Sequence, residues 1–307
     1  MRVICAKDEL LRGMQIIQPV IASKITLPVL SNFLFETDGQ RIKLSATDLE
    51  IGVTCYIKGE IQKEGGITIP AKRFADIIKE LPNGDIEIKA DETNQVNIKA
   101  QKSKFILMGI EKKEYPALPD FPNENIFFLK REVLNSMFKK TIFAVSKDTQ
   151  RYVLNGVYFI ADEGSVKAVS TDGRRLAYIC VEGIENKVVN KAIIPTKAVN
   201  DILRLIASDE KVEKVKIGLT DNLISVEIGD ISFQSKLIEG VFPNYEQVIP
   251  KKTISKIKLN VANTMSAVKQ MALLTGDRLS ADRSSSVKFS FEKNKMIISA
   301  NTVGLGS

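Results

Sequence analysis

Histidine and tryptophan are both missing from the 307 residues, and cysteine occurs only three times. Without histidine the chain lacks the commonest general base, the commonest zinc ligand and the usual partner in Ser or Cys hydrolase triads, so enzymatic readings start at a disadvantage. Cys5, Cys55 and Cys180 are odd in number, far apart and never in a Cys-x-x-Cys pair, which supports neither a disulfide framework nor a zinc site. All three read as small core hydrophobes, and no metal or cofactor is expected. Long apolar runs are also lacking: no stretch approaches the roughly 20 residues of a membrane helix. The N-terminal MRVICAKDEL carries charges where a signal peptide would carry its apolar segment. A cytoplasmic location with no membrane partner is therefore expected.

What is present is the composition of a globular protein, 44% hydrophobic and 26% charged. Lys and Arg number 44 against 37 Asp and Glu, a formal charge of +7. That excess suits a polyanionic partner and equally suits a merely soluble basic protein, so the distribution of charge has to decide.

Self-comparison is the most informative operation, because a fixed period means that one structural unit has been copied. Leu30-Ser31-Asn32-Phe33-Leu34-Phe35 leads through a turn at Asp38-Gly39 to Ile42-Lys43-Leu44-Ser45-Ala46-Thr47-Asp48. Leu154-Asn155-Gly156-Val157-Tyr158-Phe159 leads through Glu163-Gly164 to Val166-Lys167-Ala168-Val169-Ser170-Thr171-Asp172 at nearly the same spacing. Ile69-Pro70-Ala71-Lys72 then precedes a stretch with Phe74, Ile77, Ile78 and Leu81, and Ile194-Pro195-Thr196-Lys197 precedes one with Val199, Ile202, Leu203 and Ile206. Both have the spacing of a helix laid on a core, with Pro near the first turn where its missing N–H does no harm. Each unit closes on a proline-rich connector, 115–122 and 242–250, that reads as an extended linker. Pro70 and Pro195 lie 125 residues apart, and Pro116 and Pro243 lie 127 apart, a domain-sized period.

A third unit is expected after Pro250. Alternating Ile257, Leu259 and Val261 precede a helical stretch with Met265, Val268 and Ala272. A hairpin follows, with Ser286–Phe291 and Met296–Thr302 flanking Lys293-Asn294. Within the units, Val96–Lys99 and Phe105–Leu107 flank one tight turn, and Val226–Ile228 and Ile231–Phe233 flank Gly229-Asp230 in its counterpart. The sequence thus predicts an α+β chain with helices on one face of antiparallel sheets, in domains 1–120, 121–250 and 251–307, the third showing only a first half. The helical stretches carry Lys72, Arg73 and Lys79, then Lys139 and Lys140, then Lys197 and Arg204, opposite their apolar stripes. On one helix such residues are ordinary solvated charge. Repeated around an axis they would sum into a surface that binds phosphates by counterion release, with no reading of bases.

Five segments, in order and spread over the chain, carry a family resemblance: Thr26-Leu27-Pro28-Val29-Leu30, Ala46-Thr47-Asp48-Leu49-Glu50, Arg151–Gly156, Thr171-Asp172-Gly173-Arg174-Arg175-Leu176 and Phe242-Pro243-Asn244-Tyr245. Together they resemble the beta-subunit family of bacterial DNA polymerase III, the sliding clamps. The resemblance implies the DNA clamp fold, three similar domains of paired strand–helix–strands units, and a head-to-tail homodimeric ring around double-stranded DNA that makes the polymerase processive. It implies no catalytic activity, and as partners DNA polymerase III, the clamp loader and other proteins with a clamp-binding motif. By position it makes Lys24, Lys72, Arg73, Lys197 and Arg204 electrostatic DNA contacts. Leu154, Thr171, Gly173, Arg174, Arg175, Leu176, Pro243 and Val248 match the family's partner-peptide pocket, with Arg174 at its rim. Phe105 and Leu107 on one side, and Leu273 and Leu274 on the other, match the ring-closing interface. The sequence stops at Ser307, before the second half of the third domain and the tail that completes the pocket in the family. The expected consequences are an open sheet edge, unburied core and weakened partner binding.

Two other readings are open. A non-encircling fragment would bind partners or DNA as a module. A nuclease or phosphotransferase would use Asp48, Glu50 and Asp172 with a divalent metal, but the acids recur in equivalent turns, which fits copied turn chemistry better than a converging site. No G-x-x-x-x-G-K-[ST] loop is present, so ring opening would need an outside ATP-driven loader.

Overall fold

Segments such as Phe33–Asp38 and Arg41–Thr47 alternate with period two, giving each strand one apolar side that has to be covered. Helices with apolar residues at helical spacing supply the cover. The structure, a computed structural model, describes residues 1–21, 27–275, 287–292 and 295–300. It divides into two compact units, Met1–Asn244 and Tyr245–Ser307.

The first unit opens with β1 (Arg2–Ala6), α1 (Lys7–Ile17), β2 (Asn32–Asp38), β3 (Arg41–Thr47), β4 (Ile51–Ile57), β5 (Glu60–Lys63) and β6 (Gly66–Pro70). It continues with α2 (Ala71–Glu80), β7 (Asp85–Ala90), β8 (Gln95–Ala100), β9 (Ser103–Met108) and β10 (Ile110–Glu111). The pattern returns as β11 (Ile126–Lys130), α3 (Arg131–Thr141), β12 (Gly156–Asp162), β13 (Ser165–Thr171), β14 (Leu176–Glu182), β15 (Asn190–Pro195), α4 (Thr196–Ser208), β16 (Lys214–Leu219), β17 (Leu223–Ile228) and β18 (Ile231–Lys236). The repeat read from the sequence is thus an α+β repeat in the structure, with α1 packed on α2 and α3 on α4. Gly39 and Gly164 hold the corresponding hairpin turns at φ +58° and +73°, a region that suits glycine.

One sheet crosses from the first copy to the second. Its order is β10-β6-β2-β3-β4-β18-β17-β16-β11, and the joint is antiparallel pairing of Ile51–Cys55 with Ile231–Ser235. The other sheets of this unit are β5-β1-β7-β8-β9 and β14-β13-β12-β15. Buried side chains from Val3 to Phe233 form one continuous hydrophobic core.

The connector 115–122 has no regular structure past the short turn at Lys112–Glu114, but it is no free spacer. Leu118 lies where a Cβ on Gly52 would stand, and Pro122 does the same at Gly218. Gln234 Nε2 donates to Pro119 O at 2.7 Å, and the Lys216 ammonium sits 4.0 Å above the Phe121 ring. The glycines in β4 and β16 leave the room that the connector fills.

The second unit holds a 3-10 turn at Tyr245–Val248, α5 (Val261–Thr275) and the hairpin β19 (Val287–Glu292) and β20 (Lys295–Ala300). The strand expected over Ile257, Leu259 and Val261 does not form: 257–260 is irregular and Val261 opens α5. Its counterparts β1 and β11 are held by β7 and β16 from later in their own copies, and the described residues after 250 contain no such partner strand. Met265 and Ala272, expected on an apolar stripe, are exposed. Cys5 and Cys55 are buried as expected, while Cys180 on β14 is only half-buried.

Candidate functional site

Each basic helix owes its exposed face to the apolar residues on the other. In α2, Ala71, Phe74, Ala75 and Ile78 are buried, leaving Lys72, Arg73 and Lys79 in solvent. In α3, Leu134, Met137 and Phe138 are buried, leaving Lys139 and Lys140 exposed in the last turn, where cations also suit the helix dipole. Lys72, Arg73, Lys139 and Lys140 enter no ion pair among the described residues, so their charge is available to an outside anion. Lys24 lies outside the described residues.

The cations of α4 are different. Lys197 Nζ reaches Asp48 Oδ2 at 2.5 Å, from the second copy to the first. Arg204 donates through Nη1 to the carbonyls of Gln15 and Ile16 at 3.2 Å, closing the end of α1, and pairs through Nη2 with Asp201 at 3.4 Å. Burial raises the pKa of Asp201, an effect that the neighbouring Arg204 opposes. Asp201 Oδ2 and Arg204 Nε are buried without a hydrogen-bond partner among the described residues. Arg204, expected as an electrostatic DNA contact, is engaged here by two backbone carbonyls and a carboxylate. Two further ion pairs cross the same joint, Lys236 with Glu50 at 3.1 Å and Arg41 with Asp230 at 2.9 Å.

The three carboxylates weighed as a metal site each end on a different cation: Asp48 on Lys197, Glu50 on Lys236 and Asp172 on Arg175. Among the described residues no three His, Cys, Asp or Glu side chains are grouped to hold a metal.

The second candidate site is built on the turn between β13 and β14. Asp172 Oδ1 accepts the N–H groups of Arg174 and Arg175 at 2.9 and 3.0 Å, and Thr171 Oγ1 accepts that of Gly173 at 3.0 Å. Gly173 sits at φ +86°, against the Arg151 guanidinium. The backbone amides and Arg175 hold the Asp172 carboxyl below its ordinary pKa. Arg174 and Arg175 are exposed, with Arg175 5.6 Å over the exposed Phe143 ring. Leu154 is buried at the end of the 3-10 segment Thr149–Leu154, Leu176 is half-buried at the start of β14, and Pro243 is exposed. Close by in the chain, Phe242 stacks on Tyr158 with ring centroids 4.7 Å apart. Gly240 packs against Val153 and Tyr152. Val248 ends the 3-10 turn of the second unit and is exposed.

The N-terminal domain of the DNA polymerase III beta subunit family matches residues 1–119, and its central domain matches 128–244. This chain belongs to that family. It is a DNA sliding clamp and a replication protein by that membership. The beta sliding clamp of Chlamydia muridarum (strain MoPn / Nigg) is 34% identical over 307 residues, which are all of this chain and 82% of that protein. That of Haemophilus influenzae (strain ATCC 51907 / DSM 11121 / KW20 / Rd) is 31% identical over 299 residues, 96% of this chain and 79% of the relative. Among solved structures, the sliding clamp from Bartonella birtlesii bound to griselimycin is 31% identical with a TM-score of 0.87, covering the whole of this chain and 82% of that one. The Bacillus subtilis clamp shares the fold at a TM-score of 0.92, with 24% identity and the same coverage.

Strand β9 forms one edge of its sheet. Phe105 and Leu107 face Ile98 and Val96 across the pair, and Leu107 is buried. Ile106 and Met108 point the other way and are 53% and 60% exposed, apolar groups on a strand edge that the sequence reading passed over. Leu273 on α5 is 83% exposed; Leu274 lies in the same helix, its side chain outside the described residues. Sequence reasoning also missed Phe143 and Arg151 beside the Asp172 turn, and Asp48 as the partner of Lys197. The recurrence of Thr-Asp was visible, but which cation it would meet depends on packing between the copies.

Proposed function

We propose that the chain works as a processivity ring without catalysis of its own, from modules 1–120, 121–250 and 251–307. Two copies join head to tail around duplex DNA, with Phe105, Leu107, Leu273 and Leu274 on the two sides of the contact. Lys24, Lys72, Arg73 and Lys197 meet the phosphates without regard to base sequence, and the contact is loose enough for sliding. Leu154, Thr171, Gly173, Arg174, Arg175, Leu176, Pro243 and Val248 take the short peptides of polymerase, clamp loader and repair proteins. The ring acts on DNA in the cytoplasm; no helix among the described residues is long and apolar enough to cross a membrane.

The observation that carries this reading is the copied module whose helices α2 and α3 both present unpaired cations to solvent. Retention on DNA tests it. Loaded by clamp loader and ATP, the protein stays on nicked circular DNA in high salt and is lost once the circle is cut. Equal loss from circular and linear DNA overturns the ring. The exposed apolar residues Ile254, Val261 and Leu273 favour a second reading, a non-encircling docking module. Sedimentation separates the two, since the ring requires a dimer and the module sediments as a monomer.

A further inference from the structure

The Thr-Asp turn is built the same way in both copies up to one difference. Asp48 Oδ1 accepts the N–H groups of Glu50 and Ile51 at 3.0 and 2.7 Å, as Asp172 Oδ1 accepts those of Arg174 and Arg175. In each turn Oδ2 is left for a cation. Asp172 takes Arg175 from its own turn, whose Nε lies 3.0 Å away. At the corresponding places the first turn has Glu50 and Ile51, neither of them a cation, and Asp48 takes Lys197 from the next copy.

The two partners are unequally held. The Asp48 side chain is 15% exposed and fixed by two amides, whereas Lys197 is 55% exposed on a flexible stem. The ammonium can swing to another anion while the carboxylate stays. Arg204 lacks that freedom, because two carbonyls of α1 and Asp201 engage it together.

We propose that Asp48 is the resident counterion of Lys197, displaced by a DNA phosphate when duplex is bound, so that Asp48 sets how tightly the chain holds DNA. The proposal rests on the clamp reading, in which Lys197 faces the backbone. A lysine that must leave one anion for another gains little by the exchange, and the carboxylate left behind repels the duplex. Asp48 is then a positioning residue that keeps the grip weak enough for movement.

Asp48→Asn tests this, since its carbonyl oxygen still caps the turn; Asp48→Ser, whose hydroxyl does the same, serves if the first variant melts low. Binding of the full chain to a short labelled linear duplex is followed by anisotropy across a NaCl series. The Asn variant is expected to bind roughly two- to five-fold tighter at low salt, the span of a freed exposed ion pair. Its salt dependence should steepen by up to about one counterion. In a Lys197→Ala background the same change should have a clearly smaller effect, because only the repulsion between the carboxylate and the duplex is then relieved. An equal gain in both backgrounds overturns the proposal, because Asp48 would then act by charge alone. So does an unchanged Asp48→Asn when Lys72→Ala or Lys139→Ala weakens binding, and in that case DNA binding itself stands. If none of the lysine variants alters binding, the DNA reading fails together with the proposal.

Discussion

Arg204 illustrates how a cation on the polar face of a helix can be consumed by the fold. Its guanidinium satisfies carbonyls that α1 leaves open at its last turn, and it balances Asp201 in a half-buried setting. Arg204→Ala should lower stability by about 1.5–3 kcal/mol, the range for hydrogen bonds to charged groups, as read by urea denaturation. The salt dependence of DNA binding should not change; a variant of unaltered stability and shallower salt slope would make Arg204 a DNA contact after all. Buried acids make a second prediction. Burial pushes Cys5, Cys55 and Tyr115 up to about 12, and burial aided by Asp38 does the same for Tyr56. Below pH 9 both folded and unfolded chains keep these protons. Between pH 9 and about 12 the unfolded chain releases protons that the folded chain retains, so stability present below that window is lost as pH rises through it. Cys55→Ala should flatten the fall by about 1.4 kcal/mol per pH unit over the upper part of the window, one proton's worth. An unchanged slope would mean that Cys55 ionises alike in both states.

At the scale of elements, what could be read in advance was what local pattern decides. The helices after Ile69-Pro70 and Ile194-Pro195 follow from apolar spacing and the fixed φ of Pro, and the hairpins at Gly39, Gly164 and Gly229 from turn chemistry. That no strand forms over Ile257–Val261 could not be read, because a strand exists only with a partner, and alternation does not reveal one. Lys197 and Arg204 were legible as exposed cations but not as anchors, since a helix face does not name what stands opposite it. On edge strand β9 the resemblance points to Phe105 and Leu107, whereas the exposed apolar area belongs to Ile106 and Met108 together with Phe105. If β9 closes the ring, Ile106→Lys should convert dimer to monomer in sedimentation at unchanged melting temperature, a charge on an edge being the natural guard against pairing. A dimer that persists would move the contact elsewhere.

At the scale of the molecule, continuity is unevenly distributed. From Met1 to Asn244 the nine-stranded sheet, the shared core and the packed connector 115–122 join two copies into one compact unit, and the ion pairs of Lys197, Lys236 and Arg41 cross the same joint. Past that point the arrangement changes: residues 251–260 are exposed, have no helix or strand, and contain Lys251, Lys252, Lys256 and Lys258. Such backbone opens to proteases at little cost, whereas the lysines of the sheet and helices must first be unfolded locally. Leu118 and Pro122 of the connector 115–122 pack down over glycines, and Phe242 of the connector 242–250 is buried against Tyr158, so the open backbone lies in 251–260. Brief trypsin treatment should therefore accumulate an N-terminal fragment ending at one of the four lysines, identified by mass. Co-elution of that fragment with the parent's resistance to urea would show that the first unit holds its own stability. Early cleavage within Lys112–Asp120 instead would mean that the first connector is not held on the sheet.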